Sequence, residues 1–264
     1  MEDRRHPVIL KEPTKLAVAG DWHGNGSHAA MAIYRAHDLG ADAMVQVGDF
    51  GYWTEGRRDH YLDVVEQAIK ETGMWFAWLP GNHEAWPDLP EKGRGKHPSL
   101  IRNTVFLPIG YRWEWWGKKF MAVGGAFSID RFMRKEGKSV WKEEELTDED
   151  VNWCCHQPHG VDVIFAHDCP TGVDIPGIGP DSKPRGGAEH WPPDMLARAN
   201  AHRKQLRKIV DKHKPAVFIH GHYHVPYYIH SVLNGENTIY RGLDMDGGTF
   251  RDNVMLLEPS DLGA

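Results

Sequence analysis

The sequence predicts an α/β fold in which two mixed β-sheets pack face to face with helices on the outside. Three observations predict it. In the first half, short apolar runs alternate with helical stretches in the order β-α-β-α-β, which implies parallel strands. In the second half, runs of strand character follow one another as hairpins do. Clusters of carboxylates and histidines come directly after at least four of the apolar runs, as expected where loops leaving a sheet converge on one rim.

The elements follow in order. The first strand occupies 16–20. An amphipathic helix capped by Ser27 covers 27–39, and a second strand covers 43–47. A helix near 57–72 leads to a third strand around 74–79. Hairpin-like runs at 104–108, 111–116 and 119–124 come next. Another helix starts at Thr147, with Asp150 completing a loose capping box. A strand at 161–166, a long polar helix around 193–213 and a strand at 216–220 follow. Asn234-Gly235 between the β-rich runs 227–233 and 238–241 signals a closing hairpin. Segments 86–103, 128–145 and 170–191, rich in Gly, Pro and charge, read as rim loops.

The 264 residues, 41% hydrophobic, suffice to bury a full core as one domain spanning 1–264, with 1–14 as an N-terminal extension. No apolar stretch near the start suits a signal peptide, and none approaches the roughly 18 residues of a membrane span. The end carries no lipidation signal. These features lead us to expect a cytoplasmic protein without a membrane partner. A net charge of −6 argues against an extended duplex nucleic-acid surface. Cys154, Cys155 and Cys169 fit no metal or redox spacing and read as reduced packing residues.

Five clusters carry the chemistry: Asp21-Trp22-His23, Gly48-Asp49, Gly81-Asn82-His83-Glu84, His167-Asp168 and Gly221-His222-Tyr223-His224. With 17 histidines in the chain, no single cluster means much, but their coincidence points to a two-metal hydrolase. Gly20, Gly48, Gly81 and Gly221 stand just before the polar residues, where glycine permits sharp turns of positive φ. Carboxylates, imidazoles and one amide oxygen, with no thiolate, suit Mn, Fe or Zn.

The order D-x-H, G-D, G-N-H-E, H, G-H-x-H resembles the calcineurin-like metallophosphoesterases, over residues 16 to about 224. The resemblance implies a four-layer α-β-β-α sandwich and two divalent metal ions, with manganese favoured. It places Asp21, His23, Asp49 and His224 on one ion, and Asp49, Asn82, His167 and His222 on the other. His83 is left beside the site, to give a proton to the departing alkoxide or to stabilise its charge. Two such ions, about 3.5–4 Å apart, clamp the attacking and leaving oxygens of an in-line displacement and make a bridging water acidic, so no side-chain nucleophile is needed.

This chain departs from familiar members in one place. Many continue the second cluster as G-D-x-x-D, whereas Tyr52 stands where the second aspartate would be, which questions the usual carboxylate support for His83. Glu84 completes the G-N-H-E of protein serine/threonine phosphatases, but those lack G-H-x-H, which phosphodiesterases of the family use. The segment 123–130 resembles the G-G-A-x-S-x-D of small bacterial and phage members. The rim loops supply Arg94, Lys96, Arg131, Arg134, Lys138, Lys183 and Arg185 as cations for a phosphate oxygen, Arg131 and Arg134 foremost, against solvated loop charge as the plainer role. Trp53, Trp86, Trp141 and Trp191 are available to stack on a base or to pack. The leading expectation is hydrolysis of a phosphodiester, a cyclic nucleotide or a nucleic-acid end. The alternatives are a phosphomonoesterase or protein phosphatase, an exonuclease, and a binding scaffold with a dead metal centre. The partner is then a phosphate ester or nucleotide.

Overall fold

The first sheet grows from the β-α-β-α-β half of the chain. β1 (Leu16–Ala19), β2 (Ala43–Gln46) and β3 (Trp75–Trp78) are joined by α1 (Gly26–Asp38) and α2 (Arg57–Thr72). They pair in parallel, Leu16 opposite Ala43 and Ala43 opposite Trp75. β5 (Thr104–Phe106) lies parallel to β3, β4 (Ser99–Ile101) antiparallel to β5, and β12 (Val254–Leu257) antiparallel to β1 at the other edge. The second sheet contains β6 (Arg112–Trp115), β7 (Lys118–Val123), β8 (Val163–Ala166), β9 (Val217–His220), β10 (Tyr227–Ser231) and β11 (Thr238–Gly242). Its order is β10-β11-β9-β8-β7-β6, parallel in the middle and antiparallel at both edges. This computed structural model describes residues 10–54, 56–156, 160–181, 191–232, 235 and 237–263.

Strand alternation explains the layers. Leu16, Val18, Val45 and Ala77 of the first sheet share a buried cluster with Trp113, Phe120, Phe165 and Ile219 of the second. The intervening residues, Ala17, Met44 and Phe76 among them, face α1 and α2, where Ile33, Val65 and Ile69 cover them. On the far side, Ile164 and Phe218 meet α3 (Asp148–Cys155) and α4 (Pro193–His213) through Cys154, Leu206 and Val210. Burial on both faces makes the central strands near-continuous apolar runs. The expected face-to-face arrangement of two mixed sheets with helices outside is what the chain adopts.

Four local expectations differ from the structure. α1 begins one residue early, and its cap is Asn25, whose side chain accepts from the His28 amide, in place of Ser27. The run at 104–108 forms no hairpin with 111–116, because it joins β3 and the chain crosses to the second sheet around Gly110. β4 lies within a segment expected to be irregular. β12, four apolar residues near the end, closes the first sheet without having been expected. The Thr147–Asp150 capping box is present in both directions. β10 and β11 form the anticipated hairpin, whose turn residue Asn234 lies outside the described residues, as do Lys183 and Arg185. No helix among the described residues is long and apolar enough to cross a membrane.

Candidate metal centre

The five clusters meet at one place, past the C-terminal ends of β1, β2 and β3 in one sheet and of β8 and β9 in the other. Asp49 Oδ2 faces three of the other four. It lies 3.5 Å from His23 Nε2, 3.5 Å from His167 Nε2 and 3.8 Å from His83 Nε2. His224 Nε2 lies 3.0 Å from Asp21 Oδ2, and Asn82 Oδ1 lies 3.0 Å from His167 Nε2. His222 packs its ring 5.0 Å from that of His167 and donates its backbone N–H to the Asp21 carboxylate. Three triads have donor atoms within 4.8 Å of one another: Asp21, His23 and His224; His23, Asp49 and His83; Asp21, Asp49 and His167. The donor set therefore fits metal binding, and His83 stands closer to it than an unligated acid requires.

Glycine enables this convergence mainly through close approach. Of the four glycines before the polar residues only Gly48 has positive φ, which corrects the expectation for Gly20, Gly81 and Gly221. A Cβ on Gly81 would collide with the Asp49 carboxylate, one on Gly221 with that of Asp21, and one on Gly48 with His167. The left-handed conformation falls on the polar residues themselves: His23 (φ 44°), Asp49 (52°), His222 (68°) and His224 (55°). Non-glycine residues occupy this region at a cost of about 1 kcal/mol or more each, and such strain gathers at functional sites.

A second layer holds the donors in place. Asp246 accepts from His23 Nδ1 at 2.7 Å, leaving Nε2 turned to Asp49, and its other oxygen accepts from Asn25. Ser128 Oγ accepts from Asn82 Nδ2 at 3.0 Å, so the amide oxygen faces inward. Glu84, fully buried, accepts the backbone N–H groups of Gly51 and Gly81 and braces two of the site's turns. Asn253 links the Asp21 carbonyl to Trp22 and His28. Asp168 accepts from Tyr223 Oη at 2.6 Å and from His202 Nδ1 at 2.7 Å.

The electrostatics call for positive charge. Burial alone would raise the carboxyls of Asp21 and Asp49, yet facing imidazoles hold both below the ordinary range, Asp49 far below it. Conversely, burial disfavours charge on His23 and His167, but Asp49 and Asp21 push both up to about 10. Protons thus gather where divalent cations would satisfy the same carboxylates. Burial pushes His222 down to about 4, leaving a neutral ring with a lone pair to give.

Residues 14–226 match the family model of the calcineurin-like phosphoesterases. The chain belongs to the calcineurin-like phosphoesterase family. Among curated proteins, none matches the chain in sequence. Among solved structures it is similar to a zebrafish (Danio rerio) dimetal phosphatase, with 14% identity, a TM-score of 0.51 and coverage of 89% of this chain and 88% of that one. It is also similar to TT1561 of Thermus thermophilus, with 12% identity, a TM-score of 0.48 and coverage of 94% and 99%.

In this phosphoesterase the partner of His83 is a cation. Arg134 sets Nη1 2.7 Å from His83 Nδ1 and Nη2 3.2 Å from Nε2, while its Nε donates to Asp130 at 2.7 Å. Burial first, and Arg134 as well, push the His83 imidazole below its ordinary range against the pull of Asp49. Tyr52, at the position of the missing aspartate, packs on Trp78 and under Arg58. Within the 123–130 segment, Ser128 accepts from Asn82, and Asp130 accepts from Arg134. Arg134 lines the metal-side cleft. Arg131 does not come to it, since its guanidinium pairs with Glu145 at 2.6 Å and donates to the Trp141 carbonyl. Arg94 is likewise engaged, by Asp150. Trp86 is buried with its indole N–H on the Gly81 carbonyl. Cys169, whose thiol burial pushes up to about 12, sits against Tyr227. Sequence reasoning missed Asp246, Asn253 and His202, which stand in no cluster and reach the site only through the fold.

Proposed function

We propose that this phosphoesterase hydrolyses phosphodiesters of the nucleotide or nucleic-acid-end type. Asp21, His23, Asp49 and His224 would hold one divalent ion, and Asp49, Asn82, His167 and His222 a second; the donor set suits Mn, Fe or Zn, and the family resemblance favours manganese. When bound, the ions supply Lewis acidity to the phosphoryl oxygens and acidity to the attacking water. The chain's own residues do the rest. Asp246 and Ser128 fix the aim of His23 and Asn82, so the donors need little rearrangement. His83 and Arg134 stand together at the side of the cleft, where a leaving oxygen gains charge. The imidazole can hydrogen-bond to it and the guanidinium can offset its charge.

The observation that carries the diester reading is the shape of the cleft. Its volume is about 360 Å³, and its lining joins Asp49, Asn82 and His222 with the apolar Phe127, Ile129 and Trp191. A monoester phosphate needs no such apolar wall, whereas the non-leaving substituent of a diester does. Glu84, the residue shared with protein phosphatases, is spent on turn amides, so G-N-H-E lends no support to a protein substrate.

Two substitutions test the roles. Asn82→Ala should lower both metal content and turnover. His83→Ala should keep metal near the wild-type level while slowing diesters with poor leaving groups most. Loss of metal from the His83 variant would make His83 a ligand and sink its assignment as the leaving-group residue.

A further inference from the structure

A second cleft, of about 270 Å³, opens on the other side of the His83–Arg134 pair. It shares those two residues with the metal-side cleft but is bordered by none of the seven proposed metal ligands. Its remaining walls include Trp53, Lys138, Ser139 and Trp141. No carboxylate lines it among the described residues. Lys138 is exposed and in no ion pair among the described residues, whereas Arg131 and Arg94 are both committed to carboxylates. The aromatic walls are fixed in advance. The six-membered ring of Trp53 lies directly over Gly24, where an added Cβ would approach it to 3.3 Å. Trp141 is buried, and its backbone is anchored on both sides: the amide N–H donates to Glu144 and the carbonyl accepts from Arg131.

Position decides what such a cleft is for. A residue that protonates or neutralises a leaving oxygen must lie between the reacting phosphorus and the group that departs. On the metal side His83 and Arg134 border the reacting centre, so the cleft on their other side is where the departing group sits. We infer that the Trp53–Lys138–Trp141 cleft binds the leaving unit of the diester, and that this unit is a nucleoside carrying a further phosphate. The inference rests on the diester reading above. A base has a face for the indoles, worth about 1–3 kcal/mol per stacked base, and the further phosphate has the exposed Lys138 as a cation. The volume suits one nucleoside and excludes a folded peptide. In the reaction, a water oxygen bonds to phosphorus and the bond from phosphorus to the leaving oxygen breaks. The electron pair stays on that oxygen, which then takes up a proton.

The test compares wild type with Lys138→Ala and Trp53→Ala, all manganese-loaded. One substrate is a thymidine dinucleotide phosphorylated at both ends, read as release of thymidine 3′,5′-bisphosphate. Whichever unit departs from it carries a phosphate. The other is bis-p-nitrophenyl phosphate. The ratio of kcat/KM on the dinucleotide to that on the chromogenic diester should fall about tenfold in each variant. A ratio equal to that of wild type overturns the inference, as does a wild type that cleaves bis-p-nitrophenyl phosphate but not the dinucleotide. A wild type that cleaves neither diester, with or without activity on p-nitrophenyl phosphate, overturns the diester reading and this inference with it.

Discussion

Asn82 has an amide with two chemically different ends, and Ser128 decides which one faces the carboxylates. With the amide N–H₂ held at 3.0 Å by the Ser128 hydroxyl, only the oxygen is offered inward. Ser128→Ala should therefore weaken metal retention by roughly tenfold, the lower end of what such supporting partners contribute, in a competition with a chelator. The fold should be unaffected; unchanged retention would mean that Asn82 needs no such help. Asp246→Ala should act the same way on His23, by about 10–100-fold. If its metal affinity equals that of wild type, the 2.7 Å contact to His23 Nδ1 is incidental. These two residues differ in how visible they were. Ser128 stands in a recognisable segment, though its role emerged only from the fold. Asp246 lies 223 positions from His23, beyond the last cluster, where no local pattern could announce it.

Among the elements, the 128–145 loop owes its shape to Glu144, buried beneath it with the backbone N–H groups of Ser128 and Trp141 on its two oxygens. Burial raises its carboxyl from 4.5 to about 7, more than those hydrogen bonds and Arg131 lower it. The folded protein thus binds this proton more tightly than the unfolded chain does. The group costs nothing below about pH 4.5. It lowers stability as pH rises from about 4.5 to about 7, and its full cost, of order 3 kcal/mol, applies above that. Unfolding in urea across this window should show wild type losing about that much relative to Glu144→Gln, and parallel curves would refute the assignment. At the start of α3, Thr147→Ala should cost about 1 kcal/mol through loss of the capping box. That box was readable because its partners lie three residues apart. β4 and β12 were not: β4 lies in a segment rich in Gly, Pro and charge, and β12 has no cluster of polar residues after it to mark a strand end. Nor does any local signal say which sheet a strand joins, so the run at 104–108 was placed with the wrong neighbours.

For the molecule as a whole, the donors come from loops of both sheets: Asp21, Asp49 and Asn82 from one, and His167, His222 and His224 from the other. Bound metal would tie the two sheets together at one rim, where buried carboxylates otherwise face each other. Chelation should lower the thermal midpoint by several degrees, since ligand at about 100 times its Kd stabilises by about 2.7 kcal/mol. A midpoint indifferent to metal would leave the centre without structural weight. The family and its donor types were legible because the clusters fall in chain order after strands. The two clefts were not, because their walls come from segments scattered between Asp49 and His224. The most direct measurement is the rate of the chelated and manganese-reconstituted protein on bis-p-nitrophenyl phosphate beside p-nitrophenyl phosphate. Faster diester hydrolysis, dependent on the added metal, is the predicted result. Faster monoester hydrolysis, or diester hydrolysis that survives chelation, would contradict it.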